Sequence, residues 1–174
     1  GSSYVLKYLS EYFKITLLYF NPNISPKEEY EKRVAEQKRL IEEMEFKYPV
    51  TMLEGRYEPS EFYEAVKGLE NVPEGGERCF ICYEMRMREA AEYARRTGAD
   101  YFTTTLSISP LKNADKINEI GKKLEAEYGV RHLPSDFKKK EGYKQSIELS
   151  KEYNLYRQNF CGCVFSKNGD KENV

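Results

Sequence analysis

Apolar residues recur along this chain at two spacings, helical and alternating, and the change from one to the other falls at polar breaks. Residues 4–12 read as a helix, with Tyr4, Leu6, Tyr8, Leu9, Tyr12 and the following Phe13 forming a mixed apolar stripe. Residues 15–20 are a short β-rich apolar run, hence a strand, and Asn21-Pro22-Asn23 ends it. Ser25-Pro26 places a cap and a first-turn proline ahead of a long helix with Tyr30, Val34, Gln37, Ile41 and Met44 on one face. A strand at 50–53, a short helix at 59–66 and a Gly/Pro-rich loop at 71–77 follow. Residues 79–96 turn strongly helical and stop at Gly98, and 101–106 is a β-branched and aromatic strand. A helix over 113–128 carries Ile117, Ile120, Leu124 and Tyr128 on one face and ends at Gly129. A strand at 130–133, a helix at 142–153 and a polar tail from Lys167 complete the pattern.

Strands separated by helices of these lengths predict an α/β fold, a parallel sheet with helices on both faces. The expected organisation is one domain over 1–166 with a tail at 167–174. The chain opens directly in a helix where such domains open with a central strand, so a segment upstream is expected. Ligands in these sheets bind beyond the carboxyl ends of the strands, here around residues 21–23, 54–55, 103–107 and 134–137.

Composition narrows the function. At 174 residues, with 40% hydrophobic and 33% charged, the chain is long enough for a real core and too apolar for disorder. The formal net charge of −1 excludes a protein that coats nucleic acid by bulk charge, but leaves room for a local basic grip on one small RNA. No apolar run approaches membrane-spanning length and no signal-peptide pattern opens the chain, so a cytoplasmic location and no membrane partner are expected. The phosphate-cradling G-x-x-x-x-G-K pattern is absent, which removes P-loop chemistry.

The sharpest feature is four cysteines in two close pairs, Cys79-x-x-Cys82 and Cys161-Gly162-Cys163. Cys79 and Cys82 stand one turn apart at a predicted helix start, where free N–H groups and the dipole favour thiolate, with Arg78 alongside. Gly162 permits a tight turn that aims the other two sulfurs at one point. Four thiolates suit structural zinc or an iron–sulfur cluster. The Cys-Gly-Cys pair is unusual for zinc ribbons and tilts the choice slightly toward a cluster. A redox disulfide at Cys79 and Cys82 is a third reading, weakened because the motif follows a Gly-rich loop instead of a strand.

Four motifs in order carry a resemblance: Tyr19-Phe20-Asn21-Pro22-Asn23-Ile24 with Pro26, Glu29-Tyr30 and Arg33; Arg78-Cys79-Phe80-Ile81-Cys82; Phe102-Thr103-Thr104-Thr105-Leu106 with Ser109-Pro110 and Lys112; and Tyr156-Arg157-Gln158 before Cys161-Gly162-Cys163. Together they resemble the cobalamin-independent epoxyqueuosine reductases. The resemblance implies a fold similar to the adenine-nucleotide α-hydrolase-like sheet. The activity it implies is deoxygenation of the epoxide on a modified tRNA wobble base to an alkene. It also implies a 4Fe–4S cluster with an adjacent iron ion, with Cys79, Cys82, Cys161 and Cys163 matching the family's two downstream cysteine motifs. The family normally opens with a strand ending in adjacent cysteines and Ala-Pro; this chain starts at Gly1-Ser2-Ser3-Tyr4, so that strand and those ligands are expected to be absent.

On this reading the partners are tRNA bearing epoxyqueuosine and an electron donor that the sequence does not identify. Asn21, Asn23, Arg33 and Thr104 are the expected substrate contacts, and Arg157 or Asp136 would position substrate or protons. Asp136 also reads as an ordinary helix cap or loop residue. Lys138-Lys139-Lys140 is the only compact basic run and suits either a phosphate contact or a solvated loop. Lone His132, in a short strand, reads as structural.

Overall fold

A computed structural model describes residues 3–106, 113–134, 163 and 165 of the chain. In order these form α1 (Ser3–Leu9), β1 (Ile15–Tyr19), α2 (Lys27–Glu43), β2 (Val50–Glu54), α3 (Pro59–Ala65), α4 (Glu77–Thr97), β3 (Tyr101–Phe102), α5 (Ala114–Tyr128) and β4 (Arg131–His132). The α/β class holds: strands alternate with helices and both ladders are parallel. β1 pairs with β2 from Ile15 opposite Val50 to Tyr19 opposite Glu54, and β3 pairs with β4 through Tyr101–Arg131 and Phe102–His132. Among the described residues these are two separate two-stranded sheets.

Alternation sets which face of the first sheet is covered. Ile15 and Leu17 of β1 and Val50 of β2 pack with Leu6 of α1 and Leu40 and Met44 of α2, while Leu53, on the other face, is 39% exposed. The main core lies between α4 and α5. Tyr83, Met87, Ala91 and Ala94 recur on one face of α4 and meet Ile117, Ile120 and Leu124 of α5, with Phe102 and Val130 closing the layer. The small side chains Ala91 and Ala94 let the two helices approach closely. Glycines with left-handed backbone, Gly98 and Gly129, stop these helices where the sequence predicts, and the Asn113 side chain caps α5 by accepting from the Lys116 N–H at 3.0 Å.

Three boundaries differ from the sequence reading, each for a local reason. The first helix ends at Leu9, because residues 10–12 curl into a turn held by Ser10 Oγ donating to the Lys7 carbonyl at 2.9 Å. Ser25 is not the cap of α2: Pro26 occupies that position without a side-chain cap bond, and its carbonyl accepts from the Glu29 and Tyr30 N–H groups. The strand expected over 101–106 is only Tyr101–Phe102. Thr103 donates its hydroxyl to the Leu133 carbonyl at 2.8 Å and Thr104 accepts from the Leu106 N–H at 3.2 Å, so side chains take over the bonds a ladder would use. The helix expected at 142–153 and the tail lie outside the described residues.

His132 is a core group. Its ring lies 5.2 Å from that of Phe102, and its backbone N–H donates to Glu125 at 2.9 Å. Burial holds its pKa below the ordinary histidine value, against the opposing pull of Glu125. Gly121 of α5 makes this possible: a Cβ there would come within 2.3 Å of the imidazole Nδ1. Gly121→Ala is therefore expected to destabilise the fold by roughly 1–3 kcal/mol through overpacking, although alanine is the better helix former. Urea unfolding would measure this, and an unchanged or raised midpoint would contradict the packing described.

Candidate functional site

The start of α4, the loop after β1 and the residues near the carboxyl end of the chain meet in one region. α4 begins at Glu77 behind Gly75 and Gly76, and Cys79 Sγ accepts from the Gly75 N–H at 3.2 Å. Cys79, half-buried, packs on the side facing the α4–α5 core. One turn on, at a neighbouring position round the helix, Cys82 is buried in an apolar cluster with Cys163, Phe62 and Val66, flanked by Ile81, Met85 and Phe165. The backbone of Cys163 forms an antiparallel bridge with Ile24. No disulfide joins the described cysteines. Among the described residues no three His, Cys, Asp or Glu side chains converge as a metal-holding group. The structure thus brings Cys82 and Cys163 together and keeps Cys79 one turn away; Cys161 lies outside the described residues.

The carboxyl end of β1 is polar and largely buried. Arg33, from α2, donates from Nε to Glu29 at 2.9 Å, with the two side chains only 7% and 13% exposed. Burial holds the Tyr19 phenol above its ordinary range, while Arg33, Arg86 and Asn21 pull it back. Tyr30 crosses Tyr19 edge-on at 5.7 Å and stacks on Tyr57 at 3.8 Å. Tyr57 in turn donates to the Ile24 carbonyl at 2.7 Å. The Tyr30 phenol is pushed up to about 12, first by burial and then by Glu54 and its tyrosine neighbours. Asn23 is buried, and its side-chain oxygen has no hydrogen-bond partner among the described residues. An aromatic stack therefore fixes the loop whose Ile24 carries Cys163.

The family model described as epoxyqueuosine reductase QueH matches residues 1–169, nearly the whole chain. The chain belongs to the QueH family. It is 42% identical to the epoxyqueuosine reductase QueH of Streptococcus pyogenes over 95% of this chain, and spans 66% of that protein's length. It is 44% identical to the Staphylococcus epidermidis protein of the same name over 95% of this chain and 71% of that protein. With the Thermotoga maritima protein, also so named, it shares 39% identity over 85% of this chain and 77% of the relative.

Within this QueH-family chain, Asn21 and Arg33 both act on Tyr19 at the end of β1, and Asn23 is buried in the loop beyond it. Thr104 sits at the end of β3 with its hydroxyl already accepting from Leu106 N–H, which leaves the hydroxyl proton to donate. Arg78 does not turn its charge to the thiols; it is buried and donates to backbone carbonyls of residues 69–72. Asp136, Lys138, Lys139 and Arg157 lie outside the described residues. Sequence reasoning missed Arg86 and Tyr57. Arg86 stands four residues after Cys82, one further turn along α4, a spacing that could have flagged it; nothing local marks Tyr57, which reaches Ile24 from 33 positions away.

The unfolded chain releases a tyrosine proton near 10, whereas the folded protein holds that of Tyr30 until about 12. Folded stability should be intact below pH 10 and fall as pH climbs through that window. In Tyr30→Phe the fall should be shallower, though not abolished, because Tyr19, Tyr57 and Tyr83 are shifted the same way. Urea midpoints measured against pH check this; parallel profiles for the two proteins would contradict it.

Proposed function

We propose that this chain carries the thiolate centre and the substrate end of an enzyme that reduces epoxyqueuosine in tRNA to queuosine. The family and the relatives' names support the substrate. The observation that carries the site is the shared burial of Cys82 and Cys163, brought from the middle and the carboxyl end of the sequence into one apolar cluster. The donor chemistry fits a soft iron–sulfur centre, since both thiols sit among apolar side chains. On this reading Cys79, Cys82, Cys161 and Cys163 hold a 4Fe–4S cluster with an iron ion adjacent. When bound, that centre supplies the two electrons of the reaction singly and a Lewis-acidic iron beside them.

The remaining chemistry falls to side chains. Removing the epoxide oxygen as water takes two electrons and two protons and leaves a carbon–carbon double bond. Tyr19 and Tyr30 stay protonated at neutral pH, because burial raises both phenols, so they can donate hydrogen bonds but not act as bases. The buried Arg33–Glu29 pair keeps a fixed cation at the carboxyl end of β1 with little access for water. Asn21, Asn23 and Thr104 supply further polar contacts to the modified nucleoside. Asp136 and Arg157 position protons and substrate, and Lys138 and Lys139 meet tRNA phosphates. The electron donor is a separate partner. No described helix is long and apolar enough to cross a membrane, and the reading places the reaction with tRNA in the cytoplasm.

Protein isolated without oxygen should be brown, with iron and acid-labile sulfide in matching amounts. Supplied with a low-potential reductant, it should convert epoxyqueuosine to queuosine in tRNA. Stoichiometric zinc without labile sulfide would instead show a zinc-held nucleotide- or tRNA-binding module and overturn the redox reading.

A further inference from the structure

Arg78 is only 3% exposed, an expensive place for a guanidinium. If the position needed only volume, an apolar side chain would fill it at lower cost. Instead one nitrogen and the face of the guanidinium are used, while Nε, also buried, has no hydrogen-bond partner among the described residues. The guanidinium donates through Nη1 to the carbonyls of Leu69 at 3.1 Å and Glu70 at 3.3 Å, and to that of Val72. Its face lies 5.1 Å from the centre of the Phe165 ring. Phe165 packs in turn against Phe62 and Tyr63, each with ring centres 6.3 Å away. Phe62 belongs to the same buried cluster as Cys82 and Cys163.

A chain of contacts therefore runs from the turn before α4, through Arg78, to a ring two residues beyond Cys163. We propose that Arg78 is a positioning residue: anchored on the carbonyls of residues 69–72, it clamps Phe165 and so holds Cys163 against Cys82. Lysine is a poor replacement: its ammonium could bond the same carbonyls through one nitrogen, but it has no planar face to lay on the ring. The importance of the clamp rests on the two thiols serving one centre, but the placement itself can be read without any metal.

The test uses reduced, metal-free protein and the rate at which iodoacetamide labels each cysteine, resolved by peptide mass spectrometry. In Arg78→Lys and in Phe165→Leu, Cys163 and Cys82 should label faster by on the order of tenfold, the change that follows from losing one cation–π contact. Cys79, which packs toward the α4–α5 core instead of Phe165, should keep its wild-type rate. Phe165→Tyr, which keeps the ring, should restore slow labelling, and the double variant Arg78→Lys with Phe165→Leu should label no faster than either single one. Phe165→Leu also serves alone if Arg78→Lys fails to fold. The proposal is overturned if Cys163 labels at the wild-type rate in Phe165→Leu. It is equally overturned if all three cysteines accelerate together with amide exchange at Ala91, since that is general loosening. A finding of zinc in place of an iron–sulfur centre would leave these rates as they are, so the two failures are distinguishable.

Discussion

Cys163 is held between Ile24, which it bridges by backbone, and Cys82, beside which it is buried. The polar end of the molecule is arranged around that meeting. Each large apolar side chain brought out of water there, Phe62 and Val66 among them, contributes about 1.5–3 kcal/mol. The thiols gain from the same burial only while neutral. A thiolate enclosed by apolar groups is costly unless a cation meets it, and the nearest arginine in sequence, Arg78, is committed to carbonyls and a ring. A metal centre of the kind proposed would supply positive charge to sulfurs that ionise in such surroundings.

α4 divides its length between two tasks. Its later turns, with Met87, Ala91 and Ala94, form the core against α5 and are buried almost completely. Its first turns carry Arg78, Cys79 and Cys82 toward three different neighbours: the preceding turn, the α5 side and the α3 side. The positions of these cysteines are thereby set by a helix whose register is locked by packing elsewhere, so their geometry does not rely on a loop. The loop that does contribute, residues 21–24, is itself fixed by the Tyr57 bond to Ile24 and the stack of Tyr57 on Tyr30.

What could be read from the sequence follows from range. Helix ends set by one residue, such as Gly98 and Gly129, were legible because their physics is local. The α4 cysteines were legible as one helix turn for the same reason. Strand length at 101–106 was not, since β propensity in the threonines lost to hydroxyl bonds reaching Leu133 and Leu106. The long helix after Pro26 was placed correctly, but its buried face includes Arg33, which no hydrophobic period selects and which pairing with Glu29 helps make tolerable there. Residue type suggested that Cys163 and Cys82 belong together. Only the fold shows that they share one cluster, and that Arg78 serves the backbone instead of the sulfurs.

The central claim is that one thiolate centre ties the start of α4 to the segment bearing Cys163. Amide hydrogen exchange across that segment, compared between metal-loaded wild type and Cys82→Ser, tests it most directly. Serine offers a harder, less basic ligand than thiolate, so the variant should hold less metal and the segment should exchange faster, while the α4–α5 core stays protected. A Cys82→Ser protein that retains its metal and protects the Cys163 segment as well as wild type would contradict the claim.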